Sequence, residues 1–332
     1  MGYLFALACL IWVFHDTHPQ RLLSAIHISN WWFLVVAVFF DVLTYVVQGV
    51  RWKLLLSPVG RLRSVKATQA IYVGLFTNEV VPLRFGELVR AFLASRWLNS
   101  GIGAVVPSMV VERFLDALWL VAGIGLVALF VPLPRTLVHA GDVLGAVVLV
   151  ATVVFVWLVL RREQKLEHGE ELALNSARKS KVTAAISRFV GIVAIGLRDI
   201  GMTRNLYMAA GFSAVMLVCQ GLAVWFIMLA CGLKLGILAG AVVVLVVRLG
   251  TAIPNAPANV GSFQFFTVLA LGLFGVDKTL AAAFSIVDFA VLTVPLWAIG
   301  LFSLAATGMS FGAIRAEIAA ARHKQRSATG IP

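Results

Sequence analysis

Asn78-Glu79-Val80-Val81-Pro82-Leu83-Arg84-Phe85-Gly86-Glu87-Leu88-Val89-Arg90 is the stretch on which the fold reading turns. It breaks an apolar run that begins at Ala67 and already carries Thr68, Gln69 and Thr77, and a second helical run then continues to about Trp97. Each arm has about 12–15 residues, so at 1.5 Å per residue it reaches only ~18–23 Å, short of the ~30 Å hydrocarbon core. Two half-helices meeting at Pro82 and Gly86 therefore read as a re-entrant hairpin over 67–98. Backbone exposed at such a break is tolerated in a bilayer only against protein or a wet cavity.

The rest of the chain supports a membrane setting. Of its 332 residues, 61% are hydrophobic and 13% charged, with a mean hydropathy of +0.97; soluble domains lie nearer 45–50% and ~25%. Apolar runs cover Gly2–Phe14, Trp31–Val50, Val105–Val131, Val143–Leu160, Tyr207–Cys231 and Leu280–Ala306. The fold class expected is an all-α polytopic membrane protein of about six full spans plus two re-entrant helical hairpins. Cys9, Cys219 and Cys231 lie in or at the end of apolar segments without metal-ligand spacing and read as small buried hydrophobes. No HExxH, Walker loop or GxSxG is present, so no catalytic residue, metal or cofactor is assigned and no enzyme activity is expected. An apolar run directly after Met1, without a basic n-region, argues against a cleaved signal peptide.

The net charge of +12 does not point to nucleic acid, because Lys and Arg flank apolar runs. Placing positive loops inside puts 51–66, 161–205 and the tail in the cytoplasm, with both termini there, in the cell inner membrane. Arg51-Trp52-Lys53 reads as an aromatic and basic interface anchor, and Val182–Ile200 as an amphipathic helix on the membrane surface. The chain then divides into 1–30 (a short first segment and outer loop), 31–160, a basic loop over 161–205, 206–307 and a basic tail over 308–332. Within 206–307 a second hairpin, 235–275, breaks at Pro254 and Pro257 to Gly261. Both blocks run span, hairpin around Pro-x-x-x-Gly, then a span with an inward acid; Gly86 to Asp116 is 30 residues and Gly261 to Asp288 is 27. Because the blocks start on opposite sides, they read as two inverted-topology repeats, the pattern that marks binding sites in transporters.

Charges inside the bilayer are costly, so they concentrate the functional question. The first hairpin supplies Asn78, Glu79, Arg84, Glu87 and Arg90; the following span supplies Glu112, Arg113 and Asp116, with the two acids four apart on one helix face. Arg84, Arg90 and Arg113 are candidates to attract a lipid phosphate, helped by backbone N–H groups after Gly86, while Glu87, Glu112 and Asp116 balance them or meet a cationic headgroup. The bland readings remain open: mutual neutralisation within the Glu112 group, and interfacial snorkelling of Arg84 and Arg90. Arg248 and Asp288 in the second block read most simply as an ion pair, and Asp41 as a mid-span acid needing a partner or a wet face.

The motifs Asn78 to Arg90, Glu112-Arg113-Phe114-Leu115-Asp116 and Ile253-Pro254-Asn255-Ala256-Pro257 with Gly261 resemble the lysylphosphatidylglycerol synthase transmembrane region, also called the flippase-like domain family, over about 30 to 307. The third motif departs from the family pattern, with Gln264 where the family has a Glu. The resemblance implies lipid translocation by a stand-alone member without the soluble synthase domain. The substrate it implies is a membrane lipid: a phospholipid, a lipid-linked sugar or a hopanoid-type molecule. A homo-oligomer or an envelope-assembly partner is compatible with it. Two rival classes are a membrane-embedded lipid-modifying enzyme, which would reveal itself by converted lipid, and a non-transporting accessory protein, which would co-purify with its partner.

Overall fold

A computed structural model of the chain describes residues 2–15, 19–25, 27–81, 85–131, 199–252 and 256–308, with 139, 141–147, 149–150, 153 and 196. All regular structure with defined bounds among these residues is helical: α1 (Gly2–Phe14), α2 (Pro19–Ala25), α3 (Trp31–Leu55), α4 (Ser64–Val80), α5 (Gly86–Trp97), α6 (Ile102–Ala128), α7 (Arg204–Ala230), α8 (Ile237–Gly250), α9 (Ser262–Gly272) and α10 (Lys278–Ala305), with a 3₁₀ turn at Pro257–Asn259. Among the described residues, α3, α7 and α10 are long and apolar enough to cross a membrane. Helix α6 matches them in length at 27 residues but carries Glu112, Arg113 and Asp116 within its middle. Large side chains such as Trp32, Phe39, Leu126 and Phe302 stand exposed. That outward apolar surface suits lipid as the solvent, because lipid tails do not penalise it.

Local chemistry starts and stops these helices. The Asn30 side chain accepts from the Trp32 N–H at 2.9 Å to open α3, and Asp277 accepts from Thr279 and Leu280 to open α10; each satisfies donors that a helix start leaves orphaned. Helix α3 runs to Leu55, five residues past the Val50 expected from the sequence, because Arg51, Trp52 and Leu55 all find buried partners.

The helices pack as two blocks with matching contacts. The first helices, α3 and α7, lie against each other over the most extensive interface in the bundle. Helix α4 folds back on α5 as α8 does on α9; α5 meets α6 as α9 meets α10. Across the blocks, α4 packs on α10 and α8 on α6. Helix α8 is buried continuously from Val242 to Val247, at the centre of the larger apolar core. Helix α1, expected as a separate short segment, packs on α9, with Trp12 edge-on to Phe265 at 4.9 Å.

Both breaks depend on a glycine. A Cβ on Gly86 would collide with the Gly74 carbonyl oxygen, so only glycine lets α5 start this close to α4. Gly261 has φ +89° and lies against the Ala6 backbone of α1; Ala258 and Asn259 just before it are also left-handed, at φ +56° and +53°. Pro82, Arg84 and Pro254, the side chain of Pro257, the greater part of the expected 143–160 span and of the 161–205 loop, and the tail after Gly308 lie outside the described residues.

Replacing Gly86 by Ala is expected to destabilise the fold by about 1–3 kcal/mol, the usual penalty for overpacking. Gly125→Ala, where an added Cβ meets nothing within 4 Å, is expected to be neutral or to stabilise by up to ~1 kcal/mol through helix propensity. Thermal unfolding of both variants in detergent checks the pair.

Candidate functional site: a closed ring of charges

Helix α3 looks uniformly apolar until its buried positions are followed. Asp41, Thr44, Gln48 and Arg51 recur at spacings of three, four and three, which places them in one stripe facing the bundle. Opposite this stripe, near the middle of α6, Glu112 is completely buried. Its Oε1 accepts from Arg51 Nη2 at 2.7 Å and Gln48 Nε2 at 3.0 Å. Arg90 Nη2, on α5, stands 2.9 Å from the other oxygen, within ion-pairing distance though off the direction of a good hydrogen bond.

From Glu112 the contacts close on themselves. Arg90 pairs with Glu87 at 2.8 Å; Glu87 accepts from Arg113 at 2.5 Å; Arg113 reaches Asp116 at 3.4 Å; and Asp116 accepts from Arg51 at 2.5 Å. Three arginines and three carboxylates thus alternate around a ring of zero net charge. Stripped of water, an isolated ion costs several kcal/mol even after relaxation, and a neutral, fully paired arrangement is what offsets that. Further groups hold the arginines: Arg51 Nη1 donates to Ser213 of α7 at 2.8 Å, and the Arg90 guanidinium lies 4.6 Å above the Trp52 ring, a cation–π contact worth about 2 kcal/mol when desolvated. Trp52 is fixed in turn by its indole N–H, which donates to Ser108 at 3.1 Å.

The ring is lopsided in exposure. Arg51 and Glu112 are wholly buried, whereas Glu87 and Arg113 are 31% and 54% exposed at the side chain. One edge therefore belongs to the core and the other opens outward.

Of the residues singled out in the sequence, Glu87, Arg90, Glu112, Arg113 and Asp116 come together here. Arg51 does not fit its expected role: it is not an interfacial anchor but the innermost arginine of the ring, and Trp52 beside it is buried too. The signal that identifies it is the stripe from Asp41 to Arg51, hidden by the Trp-Lys that follow. Asn78 is structural; its Oδ1 accepts from the Gly86 N–H at 2.8 Å, tying the two arms and occupying a donor at the start of α5. Glu79 stands apart from the ring, with Trp297 of α10 within hydrogen-bonding reach. Gln264 is buried and accepts from the Gly261 N–H at 2.7 Å, which closes the start of α9. Arg248 and Asp288 do not pair as the sequence reading had it: they form no ion pair, and both border a separate cavity with Asp41. Helix α8, which carries Arg248, packs on α6, which carries Asp116 of the ring.

Helices of bilayer length, apolar outward surface and a neutral charge ring inside define a multi-pass membrane protein with a buried polar site. The family profile described as "Lysylphosphatidylglycerol synthase TM region" matches residues 1–300, and the chain belongs to that family. It is similar to a UPF0104 membrane protein of Methanothermobacter thermautotrophicus, 23% identical over 96% of this chain and 95% of the relative. A second UPF0104 membrane protein, from Methanocaldococcus jannaschii, is 26% identical over 63% of this chain and 84% of the relative. No solved structure matches.

Removing one buried member of the ring leaves its partner uncompensated. Arg51→Met or Glu112→Leu alone is expected to cost about 3–5 kcal/mol. The double variant keeps the ring neutral and is expected to cost clearly less than the two singles summed. Unfolding of the three variants in a double-mutant cycle measures the coupling.

Proposed function

We propose that the protein moves a lipid with a polar, phosphate-bearing headgroup between membrane leaflets without converting it chemically. The observation that carries this reading is the half-exposed Arg113, which closes an otherwise buried, neutral ring. A phosphate arriving at the open edge competes with Glu87 and Asp116 for the Arg113 guanidinium, which offers several donors in one plane. The two carboxylates so released are free to meet a cationic or hydroxylated part of the same headgroup. The charge exchange stays local, since Arg51, Arg90 and Glu112 retain one another on the buried side. The family description, a membrane region of a lipid synthase, supports a lipid partner; a phospholipid, a lipid-linked sugar and a hopanoid-type molecule with such a headgroup all fit.

In the same reading the blocks α3–α6 and α7–α10 are inverted-topology repeats, with α1 an addition. Support comes from their contacts: exchanging the blocks maps α3–α4 onto α7–α8, α4–α10 onto α8–α6 and α3–α10 onto α7–α6, each of which is present. An interface between such repeats is where an alternating-access site forms. The reading also takes six spans from the apolar runs and, from the positive loops, places both termini on the cytoplasmic side of the cell's inner membrane.

Proteoliposomes carrying a labelled phospholipid, with leaflet-selective quenching, test the reading. Wild type is expected to exceed empty vesicles, and Arg113→Ala to fall at least about tenfold, or ~1.4 kcal/mol in barrier. Equal rates at equal folded protein remove Arg113 from the mechanism, and converted lipid in the mass spectrum replaces translocation by catalysis.

A further inference from the structure

A second polar site lies apart from the ring. A cavity of about 130 Å³ is bordered by Asp41 and Tyr45 of α3, Gln220 of α7, Arg248 of α8 and Asp288 of α10, with a valine wall from α8. Asp41 and Asp288 each fall near the middle of a bilayer-length helix. Asp288 is completely buried and Asp41 is 4% exposed. Neither oxygen of Asp288, nor Oδ2 of Asp41, nor Oε1 of Gln220 has a hydrogen-bond partner among the described residues.

This arrangement is opposite in kind to the ring. There every charge has two opposite neighbours; here two carboxylates share one cavity, with the Arg248 guanidinium on its wall. Arg248 forms an ion pair with neither aspartate. Even counted in full against the two aspartates, it leaves the cavity wall with one net negative charge. Among the described residues the other titratable groups recorded near the site are Tyr45, Tyr72, Glu79 and Cys231, which bring no positive charge, while Arg51 and Arg113, which also act on Arg248, are paired within the ring. An uncompensated carboxylate in such surroundings costs far more than a folded protein can sustain. One unit of positive charge must be resident there. The volume suits water and a small cation, and Asp41 and Asp288 come from different blocks, so the charge state of the site bears on how the blocks attract or repel.

We propose that this cavity is a proton-binding site, in which one exchangeable proton is carried by the Asp41–Asp288 pair. Loading forms an O–H bond on one carboxylate; unloading returns the proton to water and leaves the second negative charge to separate α3 from α10. This goes beyond lipid translocation and stands whether or not the chain moves lipid.

Infrared difference spectroscopy of the full chain in liposomes reads the proton directly, through the stretching band of a protonated carboxyl group. The wild type is expected to show the band at neutral pH and to lose it reversibly on alkalinisation. Asp288→Asn or Asp41→Asn is expected to abolish the band or reduce it by half or more, while Glu79→Gln leaves it. A wild type without the band overturns the proposal, and that measurement needs no variant to fold. A band lost in Glu79→Gln and kept in both aspartate variants also overturns it. So does a band erased by sodium at fixed pH, which makes the occupant a metal ion.

Discussion

Glu112 holds the first block together. It sits at the centre of α6 with no exposure, and arginines from α3 and α5 converge on its two oxygens. In a low-dielectric interior this carboxylate is tolerable only while both arginines are present, and they in turn need Asp116 and Glu87 to stay neutral. The position of α5 follows from that requirement. The hairpin must fold back tightly enough for Arg90 to reach α6. The Gly74–Gly86 approach and the Asn78 clamp on Gly86 bring this about.

Ring and cavity express two ways of keeping charge inside a bilayer. The ring neutralises by pairing and gains rigidity from it, with Arg51 also reaching Ser213 on α7 and so binding the blocks at their main interface. The cavity leaves both oxygens of Asp288 and Oδ2 of Asp41 without a hydrogen-bond partner among the described residues, so its neutrality depends on an occupant. A site that depends on an occupant can respond to conditions, whereas the buried side of the ring is neutralised by its own members. Arg248 borders the cavity from α8, the helix that packs on α6 of the ring.

Much of the architecture was legible in residue order. Apolar runs longer than a soluble core needs mark long helices, and short runs meeting at Pro and Gly mark helix pairs that fold back on each other, as α4 does on α5 and α8 on α9. The Glu87, Arg90, Glu112, Arg113 and Asp116 set was recognisable for a related reason: charges at apolar positions are expensive enough to stand out. The structural roles of Asn78 and Gln264 were harder to see. A polar side chain beside a break has the same signature whether it faces a ligand or satisfies an orphaned backbone N–H.

Sequence alone thus determined the membrane class, the helix breaks before Gly86 and Gly261 and most of the charged residues that meet in the ring, since each follows from local cost in an apolar setting. Tertiary packing decided the partners. Arg51 and Glu112 are 61 residues apart, and nothing local distinguishes an arginine at a helix end that reaches the interface from one turned into the core. Arg248 and Asp288 are the converse, two opposite charges that pattern alone would pair and that packing keeps separate. Ion pairing falls off over a few ångströms, and it is the docking of α3 and of α5 on α6 that sets distances of that order in the ring.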